Sequence, residues 1–422
     1  MSTNPEAIPA TPEALSRDGK VVSIAVARAT HFLFLQGLPG PFFRRLAKRL
    51  RASGKRVSRV NFNGGDMLDW RMGGARRYHG GLAHWPDWLE SHVHGEAVTD
   101  IILFGDCRPL HRAAIEVARR CGVRVHVFEE GYLRPHHVTL ERSGVNGFSA
   151  LPRTIGDIRK IAAGDAIEPV AVEGNFARRA RDASLHYLGV FLASPAFPTY
   201  RTHRARSFIH EALGWVSRYV RRRRESAASA ADLGRIAGRP FFLLPMQLDG
   251  DAQLRFHSRH DSMEEALRLI LLSFADHAPA DRALVVKMHP LDPDLGHWRR
   301  RIRRLASDLA ISGRVAFVER ADLDPLLDAA SGVVTVNSTV GPLALARGIP
   351  VHAIGQAIYA IDGLTHGGPL DAFWRAPGTV DAHNYAAFRA ALMRTCLING
   401  GFHSEGALEL LVANSARRLL HR

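Results

Sequence analysis

Short apolar runs alternate with longer amphipathic ones along most of this chain. Phe32–Gln36, Val57–Phe62, Asp100–Phe104 and 124–128 are compact and mostly apolar, the length of buried strands. After the first, Phe43, Leu46 and Leu50 recur at helical spacing with Arg and Lys on the other face, and the stretch stops at Gly54. A second helix is predicted from about Pro109 to Cys121. Strand, Gly-rich turn, helix, strand is the opening of a βαβ unit. The alternation resumes later, with strands predicted at Phe241–Pro245, Leu284–Lys287, Val315–Val318, Val333–Val336 and Val351–Ile354. Helices fall near 262–274, 297–308, 323–330 and 340–347.

Residues 150–235 break the rhythm and read as helical. From Arg201 to Arg224 there are eight Arg and one acid, Glu211, interleaved with Phe208, Ile209, Leu213, Trp215, Val216 and Tyr219. Ala, Ser and Gly then mark 225–236 as a linker. The predicted organisation is a mobile tail (1–20), an N-terminal Rossmann-like domain (21–150), a helical Arg-rich segment with its linker (151–236), a second Rossmann-like domain (237–380) and C-terminal helices (381–422). The fold class is α/β. Two Rossmann-like domains facing across a cleft is the GT-B architecture of many glycosyltransferases, an analogy at the level of fold.

Composition narrows the function classes. The 422 residues are 46% hydrophobic and 23% charged, as in a globular protein. Cys107, Cys121 and Cys396 form no CxxC, which argues against a disulfide framework or zinc knuckle and for a reducing cytoplasm. Residues 1–18 lack a signal-peptide core, and no apolar run approaches the roughly 20 residues of a spanning helix. The net charge of +15, mostly from Arg, asks for an anionic partner: nucleic acid, anionic lipid or a nucleotide-sugar. The glycines match neither GxGxxG nor GxxxxGK[ST], so no dinucleotide or P-loop site is predicted.

The candidate chemistry sits at predicted strand ends, where open α/β sheets bind ligands. Strand 124–128 delivers Glu129 and Glu130 beside Gly131, Tyr132 and Arg134. Adjacent strand residues point to opposite faces, so one Glu should enter a cleft squarely. Such a carboxylate is a candidate base or nucleophile; the plain alternative is two solvated acids. Lys287 and His289-Pro290 follow Leu284–Lys287 and suit a phosphate, though a loop His is common in a chain with 22 of them. Asn337-Ser338-Thr339, with Gly341, opens a helix, where capping and anion binding use the same geometry. Gln247, Asp249 and Asp251 stand at an equivalent strand end as sugar or acceptor ligands; a metal pair is the weaker reading, since no third ligand is evident. No metal or other cofactor is expected.

Taken in order, an acidic pair with Gly, then His-Pro, then Ser-Thr resembles the motif set of bacterial sialyltransferase-like GT-B enzymes that use CMP-sugars. More closely, the chain resembles capsule polysaccharide β-Kdo transferases of the KpsS (LipB) type. The carrying stretches include Phe32–Gly37 with Gln36, Arg59–Asp66 with Asn63 and Asp66, Glu129–Pro135, Gly144–Gly147, Leu244–Asp251, Lys287–Pro290 and Asn337–Gly341. The resemblance spans roughly 30–380.

The resemblance implies transfer of Kdo, an acidic keto-sugar, from CMP-β-Kdo to phosphatidylglycerol, starting the Kdo linker on which capsule polymer is built and exported. It implies a cytoplasmic enzyme peripheral at the inner face of the inner membrane, working with other capsule assembly and export proteins and not with nucleic acid. It gives Glu130 the acidic role, with Glu129, Asp249 or Asp251 as alternatives, and puts Lys287, His289 and Ser338/Thr339 at the CMP phosphate. A β-linked donor and product mean net retention, which favours a carboxylate nucleophile. A transferase using another nucleotide-sugar, such as CMP-sialic acid, is the second reading. A non-enzymatic basic adaptor for polysaccharide or nucleic acid is the third, ranked last because RNA-stacking signatures are lacking. For the lipid contact, Tyr187–Phe197 and Arg201–Arg224 are the expected interfacial stretch; the plain alternative is an apolar stripe packed on a domain.

Overall fold

The computed structural model describes residues 30–165, 167–201, 208–248 and 252–421. It holds twelve strands: β1 His31–Phe34, β2 Arg56–Asn61, β3 Ala75–Arg77, β4 Asp100–Phe104, β5 Arg124–Glu130, β6 His137–Arg142, β7 Phe241–Pro245, β8 Ala283–Lys287, β9 Val315–Val318, β10 Ala330–Thr335, β11 Val351–Ala353 and β12 Leu397–Asn399. They form a seven-stranded sheet, β12-β6-β5-β4-β1-β2-β3, and a five-stranded sheet, β11-β10-β7-β8-β9. The second is parallel throughout. The first is parallel from β5 to β3 and closes with two antiparallel strands, β6 and β12. The expected pair of Rossmann-like halves is therefore the architecture. Its central strands are apolar on both sides because helices cover both faces: β1, β4 and β8 are buried at every position.

Pattern reading placed the strands it found within two residues at each end, except β10, which starts three residues earlier than expected, and it missed three elements. β3 (Ala75–Arg77) is exposed at all positions, so it carries no apolar signature. β6 alternates no more clearly than a loop, with buried His137, Thr139 and Glu141 among its apolar residues. β12 lies inside the segment read as purely helical. It returns the chain to the first sheet, pairing Ile398 with Val138, and the following helix Glu405–Leu420 packs on Phe42–Ala52.

The stretch between the sheets divides its allegiance. Helix Phe176–Leu192 packs on Gly64–Trp70 of the first half, where Gly64 and Gly189 touch backbone to backbone. Helix Phe208–Arg235 packs on β9 of the second half. Its buried positions run Gly214, Arg218, Glu225, Ser229, Asp232, a helical spacing made of polar residues. Ion pairs hold that stripe down: Arg320 to Glu225 at 3.0 Å, and Arg299 to Asp232. Trp215, Val216, Tyr219 and Val220 are left in solvent.

Candidate active site

β4 and β5 end side by side, and the turns beyond their ends carry the first group of candidates. After β4 the chain turns at Gly105 with φ of 74°. A Cβ there would lie 3.2 Å from Glu129 Oε2 and 3.7 Å from Arg108 Nε, so the turn brings these two groups over one spot. Arg108 keeps extended backbone before helix Pro109–Arg120. Its Nη1 donates to Gly37 O at 3.1 Å, and its guanidinium lies 5.6 Å from the Phe104 ring centre.

β5 delivers its two carboxylates to different neighbourhoods, as strand geometry requires. Glu129 faces Asp106 and Arg108, and its Oε1 accepts the Glu130 N–H at 3.0 Å. Burial raises its pKa; the donated N–H and Arg108 oppose the rise, the charges of Glu130 and Asp106 add to it, and the group ends at about 7. Glu130 looks the other way, 3.5 Å from Arg179 and towards His403.

The rest of that motif holds the halves together. A Cβ on Gly131 would meet His137 O at 2.0 Å, so only glycine fits. Tyr132 donates its hydroxyl to Glu141 at 2.7 Å and accepts the Asn146 N–H at 2.6 Å. Asn146 Oδ1 in turn accepts the N–H of Ile358 in the second half at 2.9 Å. Arg153 bridges Asn146 O and Ala357 O, both at 2.8 Å.

The second group of candidates follows β8. His289 Nδ1 accepts the Leu291 N–H at 3.1 Å, which leaves the proton of the neutral ring on Nε2. Burial, then the charges of Lys287 and of Arg134 from the first half, lower its pKa to about 4. At neutral pH it is a neutral N–H donor. Lys287 is buried, which lowers its pKa, with Arg218 adding to the shift. The turn is held from below: Arg218 donates to Pro290 O and Asp292 O, and Arg221 to Asp294 at 3.2 Å.

The remaining candidates divide between the site and its supports. Gln247 and Asn337 bond to each other, Nε2 to Oδ1 at 2.6 Å and backbone N–H to Oε1 at 3.0 Å, tying β7 to β10. Ser338 Oγ accepts the Val340 N–H at 3.2 Å, a cap, while Thr339 makes no side-chain cap. Gly341 lies under the Tyr359 ring, whose hydroxyl donates to Ser338 O at 2.7 Å. Asn63 caps helix Gly64–Trp70, and buried Asp66 accepts the Phe62 N–H at 3.0 Å and pairs with Arg59 at 3.2 Å. Gln36 donates to Asp66 at 3.4 Å and to Tyr200 at 3.1 Å. Asp249 and Asp251 lie outside the described residues.

The family model described as capsule polysaccharide biosynthesis protein matches residues 99–403, which carry both Glu129 and His289. The chain belongs to that family. It is 34% identical over 387 residues to the capsule polysaccharide modification protein LipB of Neisseria meningitidis serogroup B, covering 89% of this chain and 92% of LipB. It is 34% identical over 376 residues to the capsule polysaccharide export protein KpsS of Escherichia coli, covering 88% and 96%. Among solved structures it is similar to KpsC of Thermosulfurimonas dismutans, a β-Kdo 2,7 transferase, at 14% identity and a TM-score of 0.45 over 91% of this chain and 99% of that one.

For this family member, sequence reasoning overlooked Arg108, Tyr200 and Arg218. Arg108 stands three residues after Gly105, so the strand-end rule that singled out Glu129 applied to it as well. Tyr200 lies in the loop after helix Phe176–Leu192 and Arg218 on helix Phe208–Arg235, and no local pattern announces that they bond to Gln36 and to the His289 turn.

Proposed function

We propose that this chain is a glycosyltransferase that moves Kdo from CMP-β-Kdo to a phosphatidylglycerol-type acceptor, initiating the linker for capsular polysaccharide. The observation that carries the reading is the meeting of strand ends from both sheets. Arg134, four residues beyond Glu130, acts on His289 across the halves. A leaving CMP phosphate would find Lys287, Arg134 and the His289 Nε2–H, cations and a donor already in place as charge develops. The likeness to LipB and KpsS supports a capsule substrate.

We assign the proton transfer to Glu129 and not to Glu130. A carboxyl with a pKa of about 7 is matched to its task near neutral pH, whereas Glu130 faces Arg179 on the other side of the strand. The lipid acceptor implies a cytoplasmic enzyme docked at the inner face of the inner membrane, close to other capsule assembly proteins. The exposed Trp215, Tyr219 and Val220 suit that docking. Among the described residues no helix is long and apolar enough to cross a membrane.

The test is mass spectrometry of a reaction holding CMP-Kdo, phosphatidylglycerol and the full chain. A product heavier than the lipid by one Kdo residue is expected, absent with Glu129→Gln and with CMP-sialic acid as donor. Transfer from CMP-sialic acid alone would move the enzyme to another donor class. An active Glu129→Gln protein beside a dead Glu130→Gln protein would reverse the assignment of the carboxylates.

A further inference from the structure

We propose that Arg108 is the anion anchor of the N-terminal half, a binding residue for the negatively charged oxygens of the group that approaches Glu129. This deepens the transferase reading and rests on it.

Three independent observations converge on Arg108. Its guanidinium is largely withdrawn from solvent, yet among the described residues no carboxylate lies within ion-pair distance of it. The nearby negative and phenolic groups, Glu129, Tyr200, Asp66 and Tyr187, act on it only at longer range. Of these, Asp66 is committed to Arg59 and the Phe62 N–H. A cation held out of water without a bonded counter-ion is costly, and a protein that keeps one has a use for it.

The second observation is where the group points. Nη1 is spent on Gly37 O, which fixes the plane of the guanidinium, and the Phe104 ring backs one side. The remaining N–H groups form a rigid fork suited to two oxygens of a carboxylate or phosphate. The third is its place. The Gly105 turn sets Arg108 Nε and Glu129 Oε2 over the same point, so an anion on the fork is presented to the carboxyl that handles the proton. Tyr200, which accepts from Gln36 at 3.1 Å, also acts on Arg108.

Both substrates carry a suitable group: the carboxylate of an acidic keto-sugar and the phosphate of a lipid headgroup. Steady-state kinetics on the full chain separates them. Arg108→Gln and Arg108→Lys are compared with wild type by varying donor and acceptor in turn, with CMP affinity measured separately by calorimetry. A rise of ten-fold or more in the acceptor KM at unchanged donor KM assigns the fork to the phosphate; the reverse assigns it to the sugar carboxylate. Lys should restore part of the loss, since it keeps the charge without the fork. Loss of Arg108 also removes a charge that holds Glu129 down, so the pH–rate limb near 7 should move upward in Arg108→Gln and stay in Arg108→Lys. Unchanged KM for both substrates, with an unmoved limb, overturns the proposal. Wild-type protein that binds no CMP and transfers no sugar would instead overturn the transferase reading, and the CMP measurement tells the two failures apart.

Discussion

His289 shows how a residue's chemistry depends on its neighbours. Its ordinary pKa of 6.5 falls to about 4 through burial and the adjacent Lys287 and Arg134 charges, so its folded-state value is depressed. The stability linked to its neutral form is present above 6.5 and lost as pH falls through 4. Glu129 has the opposite sign: its raised value favours the protonated form, so that stability is present below 4.5 and lost as pH rises through about 7. At pH 7 the His289 contribution is therefore present in full, while that of Glu129 is largely lost. As a donor to a developing phosphate charge, the neutral Nε2–H of His289 should contribute about 2–4 kcal/mol to the transition state. His289→Ala should therefore lower kcat by about 30-fold to several hundred-fold while the melting temperature stays close to wild type, because the side chain is only half-buried at a strand end. Stopped assays with saturating CMP-Kdo measure it; wild-type kcat would remove His289 from the site.

At the scale of elements, helix Phe208–Arg235 is the informative one, because its polarity is inverted. Polar Arg218, Glu225, Ser229 and Asp232 face the protein, and Trp215, Val216, Tyr219 and Val220 face outward. A periodicity count reads an apolar stripe and assigns it to the interior; it cannot see that Arg299, Arg320 and Glu319, far along the chain, have made the polar stripe the docking face. The same limit explains β3 and β12, whose placement depends on partners in other segments. The strand ends were legible because most apolar runs stop at a Gly or a polar cluster within two residues of where the strand stops. The register of Glu129 against Glu130 was not, since it turns on how β5 pairs with β4 and β6. Inversion gives Arg218 a function that a packed apolar side chain would lack: it holds the carbonyls of Pro290 and Asp292, and so the loop carrying His289. Arg218→Lys keeps a charge but reaches fewer acceptors. We expect donor KM to rise several-fold with acceptor KM unchanged, and a modest fall in melting temperature. Equal rises in both constants would mean that the helix props the whole fold and not the loop.

For the whole molecule, the question is how a protein with no spanning helix among its described residues would reach the proposed lipid acceptor. Two exposed apolar clusters stand out among the described residues. Leu188, Phe191 and Leu192 end the helix that packs on the first half, and Phe191 is 75% exposed. Trp215, Val216, Tyr219 and Val220 sit on the helix that packs on the second half, and Val220 is likewise 75% exposed. Each cluster adjoins one group of candidates: the first through Tyr187, which acts on Arg108, the second through Arg218 and the His289 turn. Large apolar residues beside Arg221 to Arg224, with Arg222 stacked 4.5 Å from the Tyr219 ring centre, match what an interfacial surface needs on an anionic leaflet. Each Arg near such a surface is worth roughly 1 kcal/mol, screened over about a Debye length. Arg221 is paired with Asp294, so the charge test is Arg222, Arg223 and Arg224 changed together to Ser, which removes up to about 3 kcal/mol on that scale, and co-sedimentation with phosphatidylglycerol vesicles should fall by about two orders of magnitude in partition coefficient. Wild-type binding should weaken as salt rises and vanish on neutral vesicles. Tyr219→Ser with Val220→Ser should weaken binding while leaving its salt dependence intact, because area and charge act independently here. Salt-insensitive binding, or equal binding to neutral vesicles, would place the lipid contact elsewhere on the molecule and leave the catalytic reading standing.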